Sequence, residues 1–86
     1  MTDVHLPSTL LPLFPGLTRH VDVEAATVDD ALARLDERFP GLRERLCEPN
    51  GLRPHIHVYV DRERADLGTP LRGEGRLDVI AAISGG

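Results

Sequence analysis

A single amphipathic helical segment, placed between two pairs of alternating segments, is the feature that most limits what this chain can fold into. Residues 27–41 read TVDDALARLDERFPG. Their apolar side chains recur at helical spacing, at Val28, Ala31, Leu32, Leu35 and Phe39. Thr27 suits the N-cap, Asp30 follows three residues later, and Pro40 with Gly41 ends the helix. One helix offers one apolar stripe, so we expect it to cover one face of a small sheet.

Four segments alternate between apolar and polar residues, which is typical of half-buried strands. They are DVHLP (3–7), RHVDVE (19–24), HIHVYVD (55–61) and RLDVIAA (76–82). The order strand, strand, helix, strand, strand predicts an α+β protein of the β-grasp (ubiquitin-like) class. This fold has a mixed four- to five-stranded sheet with the main helix packed on one face, and its first and last strands are neighbours. A ferredoxin-like order is the competing arrangement.

The connections between these segments give weaker signals. GLRERLC (41–47) predicts a short helical turn, EPNG (48–51) predicts a chain reversal, and we expect a further short strand near residues 65–67. The long loop LLPLFPGL (10–17) contains Pro15-Gly16, which suits the centre of a type II turn.

Length and charge exclude several classes of function. A chain of 86 residues forms one domain and is too short to wall a deep catalytic cleft, which favours a carrier, a subunit or an interaction module. The net charge of -4 argues against a nucleic-acid partner. The N-terminus lacks the pattern of a signal peptide, and no apolar stretch is long enough to span a membrane. We therefore expect a cytoplasmic protein with no membrane partner.

Three segments together carry a resemblance to a known family. They are LPSTLLPLFPG (6–16), FPGLRERLCEPNG (39–51) leading into HIHVYVDRE (55–63), and GEGRLDVIAAISGG (73–86), which ends in Gly85-Gly86. In these segments the chain resembles the small ubiquitin-like sulfur carriers of the MoaD/ThiS family, most closely the CysO-like branch. The resemblance implies a carrier that is adenylated and thiocarboxylated at the carboxylate of Gly86. It would then donate sulfur to a biosynthetic acceptor, in the formation of cysteine, molybdopterin, thiamine or a secondary metabolite.

The same resemblance implies that partner enzymes perform the chemistry. We expect an E1-like adenylating enzyme of the MoeB/ThiF type, which consumes ATP, and a sulfur-accepting synthase. The chain itself would be a co-substrate, not an enzyme, with no bound cofactor, and a monomer when free. Residues 1–82 would form the domain and residues 83–86 a flexible tail. Glycine lets a chain pass close to a ligand, so the tail, Ile83, Ser84, Gly85 and Gly86, would thread into the partner's active site.

The sheet face away from the helix is the predicted partner-binding surface. Ile80, Tyr59 and His57 point to this face, and Phe14 from the first loop is expected to extend it. In the alternative interpretation, Phe14 covers the edge of the core and Ile80 is an isolated exposed side chain.

Other candidate sites are weaker, and two other functions stay open. His55 and His57 share one strand face, but a metal needs further ligands, and only His5, His20 and scattered carboxylates remain. We therefore expect no metal site. Cys47 is expected to be a small buried apolar residue and not a reactive thiol. The open alternatives are a ubiquitin-like protein modifier conjugated through the same glycine and a non-catalytic interaction module.

Overall fold

The computed structural model describes residues 1–81 of the chain. In chain order the elements are β1 (Thr2–His5), a 3₁₀ helix (Ser8–Leu13), β2 (His20–Val23), α1 (Val28–Arg38), α2 (Leu42–Leu46), β3 (Cys47–Glu48), β4 (Gly51–Leu52), β5 (Ile56–Val60), β6 (Glu63–Ala65) and β7 (Arg76–Ala81). Ala82 and the predicted tail, residues 83–86, lie outside the described residues.

Five of the strands within residues 1–81 form one mixed sheet, in the order β2-β1-β7-β5-β6. The first strand, β1, pairs antiparallel with β2 and parallel with β7, which therefore lies at the centre. On its other side β7 pairs antiparallel with β5, and β5 with β6. This arrangement confirms the predicted β-grasp fold, with the first and last strands side by side.

The helix α1 begins where its capping residues predict. The Thr27 hydroxyl accepts a hydrogen bond from the backbone N–H of Asp30 at 3.1 Å. The Asp30 carboxylate accepts one in return from the N–H of Ala26 at 3.0 Å, one residue before the N-cap. Two N-terminal donors are thereby satisfied by side chains, as in a capping box. At the other end Gly41 has a φ of 96° in the left-handed region, and this turn leads the chain into α2.

The core lies between α1 and the sheet, and it follows the predicted faces. The apolar stripe of α1 and the inward positions of the strands are buried together with both leucines of α2. The largest of the fully buried apolar side chains are Val4, Val23, Val28, Leu32, Leu35, Leu42, Leu46, Val58 and Leu77. The periodicity of each segment therefore predicted correctly which side chains pack inside.

Two short elements differ from the expectation. The strand predicted near residues 65–67 is β6, which begins at Glu63. It begins earlier because Asp61 (φ 48°) and Arg62 (φ 72°) reverse the chain directly after β5. Two consecutive positive φ values are typical of the type I′ hairpin turn, in which asparagine and glycine are the usual signals. The reversal at residues 48–51 also closes a two-stranded sheet of β3 and β4, which was not predicted.

None of the helices within residues 1–81 has the length and apolar character needed to cross a membrane.

We expect the Leu35→Ala variant to lose about 2–5 kcal/mol of unfolding free energy, because Leu35 is fully buried on the inner face of α1 and its truncation leaves a cavity. Urea denaturation followed by circular dichroism measures this loss. The matched control is Glu37→Ala on the exposed side of the same helix, which we expect to change stability by less than about 0.5 kcal/mol. Equal losses in the two variants would contradict this assignment of the core.

Candidate functional site

The sheet face opposite α1 carries the predicted partner-binding residues of β5 and β7. In the register of these strands, His57 lies opposite Ile80, and Tyr59 lies opposite Asp78. These side chains alternate with the buried positions of the same strands, so they share the face that α1 does not cover. The structure therefore brings together Ile80, His57 and Tyr59.

Arg64 on β6 contacts two of these side chains, His57 and Tyr59. The guanidinium Nη2 of Arg64 lies 2.8 Å from Nδ1 of His57. Arginine only donates, so Nδ1 of His57 accepts and its ring proton is on Nε2. The same guanidinium carbon lies 6.0 Å from the centre of the Tyr59 ring, at the limit of a cation–π contact. The three side chains form one polar group beside Ile80.

An ion pair lies at the centre of the face, on β7. Arg76 donates from Nε and Nη2 to the carboxylate of Asp78, at distances of 2.9 to 3.0 Å. The hydrogen bond to Asp78 is the main reason that the pKa of Arg76 is raised. On the β1 side, Nδ1 of His5 lies 3.8 Å from the Asp78 carboxylate. Asp78 is thus held in a fixed orientation between the two.

Ile80 is the large apolar side chain that this face exposes. It is 45% exposed and borders a shallow cavity of about 370 Å³. The lining of the cavity is mixed: Leu6, Pro7 and Ala81 contribute apolar surface, and its polar groups come from His5, Arg19, Arg76 and Asp78. Ala81 is the last described residue, so the cavity adjoins the point from which the chain continues to the predicted tail.

Phe14 is the predicted partner-binding residue that the structure places elsewhere. It is half-buried and packs against the core, with its ring next to Gly41 at the junction of α1 and α2. A groove that includes Phe14 is lined by Leu13, Pro40 and Arg45, not by residues of β5 or β7. Phe14 directly follows the 3₁₀ helix Ser8–Leu13, which was not predicted. Its position agrees with the alternative interpretation, in which Phe14 covers the edge of the core.

Sequence reasoning missed a second cluster on the same face, at the β1–β2 edge. Asp3, His5 and His20 each offer a ligand atom, and these atoms all lie within 4.8 Å of one another. The alternation of β1 and β2 placed all three side chains on the outward face. It did not establish the hairpin register that sets His5 directly opposite His20.

The tail predictions concern residues that lie outside the described part of the chain. Ile83, Ser84, Gly85 and Gly86 are among them, so their roles in threading and thiocarboxylation stay predictions.

Comparison with known families decides what kind of domain this is. The chain matches the ThiS family over residues 11–86. It belongs to this family. The match confirms the resemblance inferred from the segments quoted above, and it extends through the glycine pair.

Solved structures give the same result for this ThiS-family protein. A chain of the Amycolatopsis orientalis BexX/CysO complex aligns with a TM-score of 0.88 and 27% identity, over 100% of both chains. SAMP1 from Haloferax volcanii aligns with a TM-score of 0.76 and 32% identity, over 99% of this chain and 98% of its own. CysO from Mycobacterium tuberculosis shares the fold, with a TM-score of 0.85 and 22% identity over 96% of this chain and 100% of its own. A comparison with curated proteins gives no significant match.

Family membership and the CysO and SAMP1 neighbours support a role as a ubiquitin-like sulfur carrier or modifier. Small carriers of this kind are not catalysts themselves. Members of the family act with E1-like adenylating enzymes and with sulfur-accepting enzymes.

The thiol of this ThiS-family protein is not positioned for sulfur chemistry of its own. Cys47 is only 8% exposed, at the junction of α2 and β3. Burial is the largest influence on the thiol and raises its pKa, while the positive charges of Arg43 and Arg53 oppose the shift. The thiolate, the nucleophilic form, is therefore disfavoured in the folded protein.

The raised pKa of Cys47 predicts a loss of stability at alkaline pH. The unfolded chain ionises this thiol near pH 8.5, about the value for a free cysteine. The contribution to stability is complete below that pH and is lost as the pH rises through the higher folded-state pKa. Under reducing conditions, the urea midpoint of the wild-type protein should fall more steeply above about pH 8.5 than that of Cys47→Ala. Parallel pH profiles for the two proteins would show that the folded state does not disfavour the thiolate.

Proposed function

We propose that this protein is a sulfur carrier whose Gly86 carboxylate is adenylated by an E1-like enzyme and then converted to a thiocarboxylate. The observation that carries the proposal is the ThiS-family match, which runs through Gly86 on a β-grasp domain. For the acceptor, the resemblance to the CysO-like branch implies an activated serine derivative on the way to cysteine. Molybdopterin, thiamine and secondary-metabolite pathways are the other acceptor classes.

The chemistry requires a partner because a carboxylate is a poor electrophile. A carboxylate oxygen of Gly86 attacks the α-phosphorus of ATP in the partner's site, and pyrophosphate leaves. A sulfide nucleophile then attacks the acyl carbon, and AMP leaves with the oxygen. The product is a thiocarboxylate, which is ionised and nucleophilic at sulfur. The carrier contributes no catalytic group to these steps and supplies only the correctly placed carbonyl carbon.

The open sheet face is the docking surface in this proposal. A tail of four residues, 83–86, spans at most about 13–14 Å when extended. The reacting carbon can therefore enter a partner's pocket only if the domain itself docks at the entrance. Ile80 and the adjoining cavity lie beside Ala81, where β7 ends. Contacts at Ile80, His57 and Tyr59 would hold the domain there.

Conjugation to other proteins is the second candidate function. Its specific support is the 32% identity with SAMP1, and a related Haloferax volcanii structure is described as small archaeal modifier protein 1. The same activated glycine would then be attacked by an amine of a target protein. The 86 residues contain no lysine, so one copy could not be linked to a lysine of another.

Intact mass spectrometry after activation tests the proposal. The protein is incubated with an E1-like adenylating enzyme, ATP and a sulfide source, and a known carrier confirms that the enzyme is competent. We expect a mass increase equal to the exchange of one oxygen for sulfur. The matched control lacks Gly85 and Gly86 and should show no exchange. Adducts on other proteins in a cell extract would favour the modifier function, and no change in the full chain would overturn both.

Charge introduced at Ile80 tests the docking face. We expect Ile80→Asp to lower kcat/KM for ATP–pyrophosphate exchange by about tenfold, because the proposal makes Ile80 a central hot spot of the interface and an unpaired carboxylate is costly to bury there. The matched control is Leu13→Asp, since Leu13 is 47% exposed but lines a different groove, with Phe14, Pro40 and Arg45. Circular dichroism checks that both variants fold. An unchanged rate in Ile80→Asp, or an equal loss in Leu13→Asp, would remove this face from the proposal.

A further inference from the structure

We propose that Asp3, His5 and His20 form a Zn²⁺ site on the edge hairpin of the open sheet face. From the sequence no metal was expected, because no third ligand could be placed beside His55 and His57. The structure brings a different set of residues together, and the ligand atoms of the three all lie within 4.8 Å of one another. This site is independent of the proposed sulfur-carrier function.

The hairpin geometry explains why these three residues meet. Asp3 and His5 are two residues apart on β1, so their side chains leave the same face of the sheet. His20 lies directly opposite His5 on the antiparallel strand β2. The two imidazole rings are stacked at a tilt, with their centres 3.9 Å apart. Two ligands from one strand and one from its neighbour form a three-sided site that is open to solvent on its fourth side.

The ligand spacing suits a small divalent ion. Tetrahedral zinc with bonds of about 2.0–2.2 Å holds its ligands about 3.3–3.6 Å apart. Nε2 of His5 lies 2.7 Å from one Asp3 oxygen, and Nδ1 of His20 lies 3.8 Å from the other. These two contacts use different oxygens of Asp3, and the three ligand atoms lie within 4.8 Å of one another, which is wider than the tetrahedral spacing. The side chain of His20 is 63% exposed, so it is free to rotate towards the other two ligands when an ion binds.

The surroundings of His5 also support a role for this side chain as a metal ligand. Its Nε2 points to Asp3, while its Nδ1 points to Asp78 at 3.8 Å. In metal sites a ligating histidine commonly donates its other ring N–H to a carboxylate, which fixes the ring and raises its basicity as a ligand. Asp78 is suitably placed for this role, and Arg76 holds both of its oxygens. Asp78 is therefore a positioning residue in the proposal.

The donor set selects the class of metal. Imidazole and carboxylate donors without thiolate suit zinc, and three protein ligands with an open position leave room for a water molecule. The surrounding charges are mixed. Asp22 lies opposite Asp3 in the β1–β2 register, whereas Arg76 lies opposite Asp3 in the β1–β7 register and is paired with Asp78. A bound ion would tie the edge strand β2 to β1.

Titration with zinc chloride tests the site on the full-length protein, in a non-chelating buffer and in a Cys47→Ala background that removes the thiol. Isothermal calorimetry should show one saturable Zn²⁺ per chain. We expect His20→Ala to raise the Kd at least about tenfold and Asp78→Asn to raise it about tenfold. The control His55→Ala, an exposed histidine outside the cluster, should leave the Kd unchanged.

Imidazole ¹⁵N chemical shifts distinguish metal ligation by the histidines from a purely structural role. On addition of Zn²⁺, the Nε2 signal of His5 should shift as a metal-bound nitrogen, while Nδ1 keeps its proton. His20 is exposed, so His20→Ala is expected to stay folded, as circular dichroism will verify. The proposal is overturned if binding is not saturable, if His20→Ala binds like the parent protein, or if His55→Ala loses as much affinity.

Discussion

The burial of one apolar stripe of α1 against one face of the sheet is the interaction on which the rest of the structure depends. The fully buried leucines of this stripe, Leu32 and Leu35, each contribute about 1.5–3 kcal/mol by leaving water. Within residues 1–81 α1 is the one long helix that packs on the five-stranded sheet, so only one face of that sheet is covered. The other face must be compatible with water, and its strands carry ion pairs and hydrogen-bonded histidines in place of a second core.

The open face carries both proposed sites, and His5 is common to them, because it lines the cavity beside Ile80 and belongs to the cluster with Asp3 and His20. On one half of the open face, Ile80 and its cavity lie next to the end of β7 and suit a protein partner. On the other half, two imidazoles and a carboxylate converge at the edge hairpin. Asp78 lies between the halves and faces both Tyr59 and His5. A substitution at Asp78 would therefore disturb both regions, whereas His20 and Ile80 each belong to one region only.

Local patterns in the sequence were sufficient to predict the helix, the four long strands, their buried faces and the family. The hairpin after β5 was placed too late because its turn uses Asp61 and Arg62 at positive φ, where the usual signal residues are absent. The position of Phe14 was left open between the open face and the edge of the core, because the path of a long loop depends on tertiary packing, which alternation does not encode. The Asp3–His5–His20 cluster depends on cross-strand register, and in a hairpin with so long a loop the register is set by the whole sheet.

The parallel pairing of β1 with β7 has a consequence for biosynthesis. The first strand lacks one of its two neighbours until residues 76–81 have left the ribosome, since β7 fills the centre of the sheet. Chains are synthesised from the N-terminus at about 5–20 residues per second, and non-local pairing delays the completion of folding. A chain truncated before β7 would expose the inner edges of β1 and β5 and would be a substrate for proteases. Only chains that contain β7, the strand that precedes the glycine pair in the sequence, would therefore complete the sheet and escape proteolysis.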